Sequence, residues 1–329
     1  MSTISTARVL TFYTNCSLGG MTSVYRGRAL ENPDVQFDIV FSADRDGRSA
    51  FADLPNVDVR IVPPSRVASY LNWVISTVDY SEVRICTQKD LPAKLKVPDG
   101  TRVIYEVHSP MERTVLSEMA DLDVSSVDEV WAPSEWAAEL VRQSLPRRRH
   151  VPVRVKANPV DTSRFTTAVD SKMPLRRSGM IPVLWIGRLE NSHKNYIDFL
   201  RVLRLLPDEF YGLMIVSLEE DPQRFAKPIL EAAMLGVEDR LDLYLNVAQQ
   251  DVADLHRAVA AEGGVFCSTA LYETYGYAVV EASLCGVPSV AYGVGPLRNH
   301  DLERYHLVPV GSVKGLAEAI VAEASWAVG

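Results

Sequence analysis

The segment Glu273-Thr-Tyr-Gly-Tyr-Ala-Val-Val-Glu281 sets two carboxylates eight positions apart, with Gly276 after the first and an apolar run before the second. If the whole segment were helical, the two acids would lie about 12 Å apart along the axis. A carboxylate at the mouth of a helix and another inside it could hold two parts of one extended polyol. The glycine permits close backbone approach, and free N–H groups at a helix start favour an anion. The alternative is a pair of unrelated, solvated glutamates.

A second candidate is the loop from Gly187 to Asn195, which contains Arg188 and Lys194 between a predicted strand and a predicted helix. Cations at a helix start oppose the helix dipole, so an anion is expected to compensate them. A diphosphate fits, because arginine binds it in a bidentate manner and lysine supplies a point charge. The alternative is that both cations pair with neighbours such as Glu190.

Two features of the first half are less specific. Gly19 and Gly20 lie between the first predicted strand and the first predicted helix, where backbone N–H groups can meet an anion. A tight turn explains them equally well, because they lack the glycine spacing of dinucleotide folds and of P-loops. His108 ends a predicted strand before a Ser-Pro pair, and structural and functional roles are both open.

Short β-rich runs alternate with helical patterns on both sides of these residues. In the first half, strands are predicted at Val9–Tyr13, Phe37–Phe41, Val57–Val62, Val83–Thr87, Val103–Val107, Glu129–Ala132 and His150–Lys156, and helices at Met21–Leu30, Arg66–Val78 and Trp136–Leu145. In the second half, strands are predicted at Val183–Ile186, Gly212–Ser217, Leu241–Leu245, Gly264–Ser268 and Ser289–Tyr292, and helices at Asn195–Leu206, Gln223–Leu235, Val252–Ala261, Ala278–Cys285 and Leu316–Ala324. This alternation predicts an α/β fold with two mostly parallel sheets, whose ligands bind outside the carboxyl ends of the strands.

The length of 329 residues favours two domains over one. The stretch Asp161–Met180 is polar and aperiodic, which is typical of a linker. We therefore predict a Rossmann-like domain over residues 1–165, a linker over 166–180 and a second Rossmann-like domain over 181–329, with the two doubly wound domains facing each other across a cleft.

Composition narrows the class of protein. The net charge of −8 argues against a surface that binds nucleic acid or anionic lipid as a whole. Four separated cysteines without a CxxC pair indicate reduced thiols, and the histidines lack metal-ligand spacing. With neither a signal peptide nor a membrane-spanning apolar stretch recognisable, we expect a cytoplasmic enzyme with no integral membrane contact. One local exception to the acidic composition is a basic cluster, which comprises Arg142, Arg147, Arg148, Arg149, His150, Arg154 and Lys156. A solvated loop explains this cluster more simply than a binding patch for an acceptor or a membrane does.

Taken in order, the motifs resemble the retaining, GT-B-fold glycosyltransferases of glycosyltransferase family 4, the glycosyl transferases group 1. The resemblance covers nearly the whole chain, and its set of segments is more specific than any one member. The segments are Gly19-Gly20, His108, Val127-Asp-Glu-Val-Trp-Ala-Pro-Ser134-Glu135, Asn158-Pro-Val-Asp161-Thr-Ser-Arg-Phe165, Gly187-Arg188-Leu189 with Lys194, Glu273 to Glu281, and Gly286-Val-Pro288.

The resemblance implies a role for each matched residue of the second domain, which it identifies as the donor domain. Arg188 and Lys194 would neutralise the donor diphosphate and its leaving-group charge. Glu281 would hold the nucleotide ribose, and Glu273 the hydroxyls of the transferred sugar. The turn that joins the two glutamates would supply backbone contacts to the phosphate and sugar, through Thr274, Tyr275, Gly276 and Tyr277.

The first domain would be the acceptor side. There the resemblance implies that His108 contacts the transferred sugar from across the cleft, and that the Gly19-Gly20 loop lies over the diphosphate. Catalytic roles would then fall to Arg188, Lys194, Glu273 and His108, with no metal site and no cofactor. The physical requirement is stabilisation of a departing diphosphate and a cationic sugar by preorganised charge.

The activity implied is retaining, metal-independent transfer of a hexosyl or pentosyl group from a nucleotide-diphosphate sugar, with UDP- or GDP-sugar favoured as co-substrate. The acceptor is open: a small molecule, a lipid-linked glycan or another compound, with modified nucleic-acid bases the least favoured. Two alternatives remain. One is a sugar-nucleotide-binding protein without turnover, and the other is a GT-B epimerase or phosphorylase.

The sequence also departs from the family pattern. Pro159 replaces the usual glycine of an Asn-Gly-Val-Asp motif, and the Arg188–Lys194 interval is one residue longer than is common. Pro296-Leu-Arg298-Asn299 stands where a glycine-rich loop often ends in glutamate, which leaves the donor contacts there open. Little sequence follows Leu316–Ala324, so a shortened C-terminal crossover helix is expected.

Overall fold

The computed structural model describes residues 7–146, 150–189, 191–216 and 225–327. Arg147, Arg148 and Arg149 of the basic cluster lie outside these ranges, as does Glu190, the alternative partner of Arg188 and Lys194. The chain divides into two compact units, residues 1–159 and 160–329. Residues 161–180 form neither helix nor strand, and two of them contact later parts of the second unit, to which they belong: Ser171 donates to the Asp254 carbonyl and Arg177 pairs with Asp242.

The first unit is built on a seven-stranded parallel sheet in the order β3-β2-β1-β4-β5-β6-β7. Its strands are β1 Arg8–Ser17, β2 Gln36–Arg45, β3 Val57–Ile61, β4 Glu82–Cys86, β5 Arg102–Glu106, β6 Glu129–Ala132 and β7 Val153–Val155. Its helices are α1 Gly20–Glu31, α2 Val67–Thr77, α3 Glu112–Asp121 and α4 Glu135–Ser144. From β1 the chain adds β2 and β3 on one side of the sheet, and from β4 it adds β5, β6 and β7 on the other side. The strand order therefore reverses between β1 and β4.

The second unit repeats this plan with a six-stranded parallel sheet in the order β10-β9-β8-β11-β12-β13. Its strands are β8 Ile181–Gly187, β9 Phe210–Val216, β10 Leu241–Leu245, β11 Val265–Ser268, β12 Ser289–Tyr292 and β13 Tyr305–Val308. Its helices are α5 Tyr196–Leu205, α6 Ala226–Leu235, α7 Gln249–Ala261, α8 Tyr277–Leu284 and α9 Val313–Ala327. Here the order reverses between β8 and β11. Two Rossmann-like units confirm the predicted fold class.

Local sequence explains much of this arrangement. The helical spacing in α2 buries Val67, Leu71, Val74 and Ile75 on one side. Ser134 caps α4 as predicted, because its hydroxyl accepts the N–H of Ala137 at 3.2 Å. All four cysteines are unpaired and buried. Among the helices of the described ranges, none combines the length and apolarity that a bilayer crossing requires.

Two elements were not predicted. Helix α3 is mostly polar, since Glu, Arg, Ser and Asp surround the two apolar side chains it buries, Val115 and Met119. Strand β13 has four residues at the sheet edge, and none of them is fully buried. A short, half-exposed strand lacks the apolar run by which the other strands were recognised.

Candidate donor site in the second unit

The reversal of strand order in the second sheet brings two predicted loops together. The carboxyl ends of β8 and β11 are neighbours, so the loop with Arg188 and Lys194 lies beside the loop with Glu273. Leu271 N–H donates to the His193 carbonyl at 2.8 Å, which joins the loops through their backbones. Open α/β sheets bind ligands at such a switch point, outside the carboxyl ends of the strands.

A buried hydroxyl fixes the lower part of these two loops. Thr269 Oγ1 lies 3.0 Å from the Lys194 carbonyl and 2.9 Å from that of Asn195, and it accepts the indole N–H of Trp185 at 3.0 Å. Asn195 itself adopts a left-handed conformation, with φ 50°, at the start of α5. The backbone at Lys194 is therefore fixed by hydrogen bonds that do not involve the charged lysine side chain.

The charged side chains meet above this backbone. Lys194 Nζ forms an ion pair with the Glu273 carboxylate, and the two side chains are only 22% and 13% exposed. Gly187 makes room for the lysine, since a Cβ there would lie 3.0 Å from Lys194 Cγ and 2.8 Å from Trp185 Cη2. Lys194 thus has a carboxylate partner, as the alternative reading expected, but this partner is Glu273 of the other candidate loop, 79 positions away in the sequence.

His193 links Arg188 to the same loop, and the sequence reasoning missed it. Its Nε2 lies 3.0 Å from the Tyr272 carbonyl, and its Nδ1 lies 3.1 Å from Arg188 Nη2. A carbonyl can only accept, so Nε2 carries the proton and Nδ1 accepts the guanidinium N–H. The neutral ring therefore orients Arg188. The sequence offered one indication of this role, because His193 lies between the two predicted cations, Arg188 and Lys194.

The two glutamates occupy different environments. Gly276 has φ 86° and precedes α8, so Glu273 lies in the loop and Glu281 lies inside the helix. A continuous helix over the whole segment, on which the 12 Å separation depended, is not formed. A Cβ on Gly276 would stand 2.3 Å from Leu297 Cδ2, which explains the need for glycine at this turn.

Glu281 is 8% exposed. Burial raises the pKa of its carboxyl to about 7, and the positive charges of Arg164 and Lys194 limit the rise. A buried carboxyl of this kind is costly until a donor satisfies it. Lys194 thus acts on both predicted glutamates, by contact with Glu273 and by its field at Glu281.

Aromatic side chains line the turn before α8. The rings of Tyr275 and Tyr277 are 5.0 Å apart, and His300 stands edge-on to Tyr275 at 5.6 Å. His300 Nε2 also lies 2.5 Å from the Tyr275 carbonyl, which ties the turn to the segment that follows β12. His300 was not among the predicted site residues, and nothing in the spacing of the sequence marks it.

The remaining predicted residues belong to the first unit. Gly19 precedes α1 in an ordinary extended conformation, and its carbonyl accepts the N–H of Thr22 at 3.1 Å. His108 follows β5, and its Nε2 lies 3.1 Å from the Glu106 carboxylate. Arg28 donates to the other oxygen of Glu106 at 2.6 Å. Burial favours a raised pKa for Glu106, but the charges of Arg28 and His108 outweigh it and lower the pKa.

Comparisons with known proteins agree with this geometry. Residues 181–323 match the family model described as glycosyl transferases group 1. The chain is 28% identical over 184 residues to a subunit of human phosphatidylinositol N-acetylglucosaminyltransferase, covering 54% of this chain and 36% of that protein. It is 34% identical over 97 residues to sucrose-phosphate synthase 1 of Arabidopsis thaliana, covering 27% of this chain and 9% of that protein. The chain thus spans about a third or less of these curated relatives.

Solved structures show the same fold over nearly the whole chain. Anabaena HepE in complex with UDP-glucose is similar with a TM-score of 0.75 at 18% identity, covering 97% of this chain and 93% of that one. Sucrose-phosphate synthase from Thermosynechococcus elongatus is similar with a TM-score of 0.74 at 16% identity, covering 98% and 91%. The two Rossmann-like units have the GT-B fold of these solved structures, and residues 181–323 match the model of the glycosyl transferases group 1 family.

Proposed function

We propose that the protein is a glycosyltransferase that moves a sugar from a nucleotide-diphosphate donor to an acceptor. The observation that carries the proposal is the joining of Lys194 to Glu273, at the switch point of a glycosyl transferases group 1 domain. An ammonium and a carboxylate side by side suit a ligand that presents phosphate oxygens next to sugar hydroxyls. A buried Glu281 within the field of the same lysine suits a ribose diol.

In the proposed reaction, the bond between the sugar C1 and the diphosphate oxygen breaks as the oxygen of an acceptor hydroxyl forms its bond to C1, and the proton of that hydroxyl passes to the departing diphosphate. Arg188, oriented by neutral His193, and Lys194 receive the charge that develops on the diphosphate. Glu273 accepts a hydrogen bond from a sugar hydroxyl, and Glu281 accepts hydrogen bonds from the ribose. Such fixed charges lower the barrier because they are in place before the reaction begins.

Finer features belong to the same proposal. We favour a UDP- or GDP-sugar donor, retention of the anomeric configuration, no catalytic metal and a cytoplasmic location. The structure of HepE contains UDP-glucose, which supports UDP as the first nucleotide to test. Backbone contacts from Thr274, Tyr275, Gly276 and Tyr277, and roles for Gly19, Gly20 and His108, are proposed from the family resemblance.

A titration of UDP and GDP by calorimetry, followed by an assay of UDP release from UDP-sugars, tests the proposal. Lys194→Ala should weaken UDP binding and abolish transfer, whereas Lys314→Ala, which removes an 85% exposed lysine of α9, should change neither. Thermal melts of both variants separate lost function from lost folding. Full transfer by folded Lys194→Ala would refute the assignment, and binding without turnover would favour the sugar-nucleotide-binding alternative.

A further inference from the structure

Asp198 is a buried acid close to the candidate donor site, and the proposed reaction does not use it. It lies in the first turn of α5, four positions after Lys194, and the residue is 7% exposed. A buried carboxylate is costly unless hydrogen-bond donors surround it. The donors around Asp198 therefore indicate what this acid does for the neighbouring loop.

Three side chains donate to Asp198. Its Oδ2 accepts the Asn195 amide at 2.7 Å and the Tyr292 hydroxyl at 2.9 Å, and its Oδ1 accepts Arg201 Nη1 at 2.9 Å. An ionised carboxylate, which only accepts hydrogen bonds, suits three donors. Tyr292 ends β12 and is fully buried, whereas the Arg201 side chain is 55% exposed. The Oδ2 atom thus joins β12 to the start of α5, and Oδ1 faces the surface.

Asn195 has an unusual backbone conformation, and Asp198 holds it from two directions. Its φ of 50° and ψ of 52° lie in the left-handed region, which asparagine tolerates better than most residues with a side chain. The Asn195 amide donates to the Asp198 carboxylate, and the Asn195 carbonyl accepts the Asp198 N–H at 3.2 Å. A side-chain bond and a backbone bond therefore fix the same residue.

The Thr269 hydroxyl does not replace this support. Its oxygen lies within hydrogen-bond distance of the Lys194 and Asn195 carbonyls, but a hydroxyl carries one proton. One proton shared by two carbonyls locates the segment near β11. The bonds to Asp198 are the ones that hold the Asn195 side chain and so favour its left-handed backbone.

A change at Asn195 would be passed to Lys194 and not to α5. Helix α5 is anchored in the core by Phe199 and Leu200, which are fully buried. Close packing of this kind resists displacement of the helix. If Asn195 left the left-handed region, the chain before it would therefore take a new direction. The Lys194 ammonium, which pairs with Glu273, would then move.

We propose that Asp198 is a positioning residue of the donor site, which holds Asn195 in its left-handed conformation and so places the Lys194 ammonium for the donor diphosphate. The proposal rests on the proposed function, because that function assigns Lys194 to the diphosphate. Asp198 acts through Asn195 and not by contact with the donor.

Calorimetric titration of the full chain with UDP tests this role. Asp198→Ala should weaken UDP binding by about 10-fold or more, the range of a hydrogen bond to a charged group. Asp198→Asn should recover most of the affinity, because a carboxamide oxygen still accepts from Asn195 and Tyr292. Arg201→Ala is the matched control: it removes the exposed donor of the same carboxylate and should leave the affinity for UDP unchanged.

Two substitutions of Asn195 separate its backbone conformation from its side chain. Asn195→Gly and Asn195→Ala both remove the amide, but glycine adopts a positive φ without steric cost and alanine does not. Asn195→Ala should therefore bind UDP about 5-fold more weakly than Asn195→Gly does. This comparison keeps the test open if Asp198→Ala fails to fold.

A double variant distinguishes positioning from a purely structural role. Loss of a structural contact would lower the melting temperature without acting through Lys194. In a Lys194→Met background, Asp198→Ala should change the affinity for UDP by less than about 2-fold, because the side chain that it positions is absent.

The outcomes separate the two proposals. Absence of UDP binding by the wild type would contradict the proposed function. If the wild type binds UDP, any of three results would overturn the positioning role: an unchanged affinity in folded Asp198→Ala, equal affinities of the two Asn195 variants, or a full effect of Asp198→Ala in the Lys194→Met background.

Discussion

Lys194 and Glu273 form an ion pair across 79 positions of the sequence, and the Lys194 ammonium also limits the pKa of Glu281. One cation thus pairs with one carboxyl group of the proposed donor site and acts through its field on the other. Because the pair is mostly buried, its loss should lower the free energy of unfolding as well as the affinity for the donor.

The first prediction concerns this pair. Lys194→Met, Glu273→Gln and the double variant should show a coupling of about 1–2 kcal/mol in the free energy of unfolding, because each single change leaves a charge poorly solvated. Urea unfolding measures it. The matched control pair is Lys314–Glu318, whose side chains are 85% and 67% exposed. Its coupling should stay below about 0.5 kcal/mol, and equal couplings for both pairs would contradict a buried role.

The second prediction concerns Glu281 and pH. Its folded pKa of about 7 lies above the ordinary value of 4.5, so the folded state holds a proton that the unfolded state releases. The contribution of Glu281 to stability is therefore present below pH 4.5 and lost as pH rises through 7. Glu281→Gln should remove this loss, giving a more stable apoprotein at about pH 8 that binds UDP more weakly.

Urea unfolding between about pH 4.5 and 8 and calorimetry with UDP measure the two effects of Glu281→Gln. Glu318→Gln, at an exposed position of α9, is the control and should leave both profiles unchanged. A variant that loses stability at the alkaline end of this range would show that Glu281 is ionised and well satisfied in the apoprotein.

The third prediction concerns the turn before α8. Gly276→Ala should lower the free energy of unfolding by more than Gly236→Ala does, although both glycines have left-handed backbones, with φ of 86° and 67°. A Cβ at Gly236 has no neighbour within 4 Å, whereas one at Gly276 meets Leu297 at 2.3 Å. The Gly236 variant thus measures the conformational cost alone, about 1 kcal/mol. Equal losses would mean that the Leu297 side chain moves aside.

The fourth prediction concerns His256, which is fully buried between Phe165 and Phe266. Neither of its ring nitrogens hydrogen-bonds to any described residue. Burial and the charge of Arg257 lower its pKa to about 3, from an ordinary 6.5. Its contribution to stability is therefore present above pH 6.5 and lost as pH falls toward 3, since only the unfolded state gains the proton.

His256→Leu should therefore raise the free energy of unfolding at about pH 7 by about 1–3 kcal/mol, the cost of the unsatisfied ring nitrogens. It should also flatten the decline of stability between about pH 6.5 and 4. The exposed His150→Gln is the control and should stay within about 0.5 kcal/mol of the wild type. A destabilised His256→Leu would indicate that a bound water satisfies the ring.

The sequence predicted the fold well because most elements carry their own signal. Strand β6 begins and ends at the predicted residues, and Ser134 caps α4 as its type indicates. Helix α3 was missed because it is mostly polar, and strand β13 because it is short and half-exposed. The candidate residues Arg188, Lys194, Glu273 and Glu281 were found from spacing and resemblance. The sequence did not predict three contacts: the Lys194–Glu273 pair, the bridge through His193 and the contact of His300. No local pattern encodes a partner that comes from another loop.

Thr269 has a consequence for how this protein could change. Its hydroxyl and the Trp185 indole fix the backbone of the Lys194 loop without using any charged group. The frame of the loop and the chemistry displayed on it are therefore separable. In the proposed donor site, ligand preference could therefore be redesigned, by nature or in the laboratory, through substitutions at Arg188 while Trp185 and Thr269 preserve the backbone of the loop.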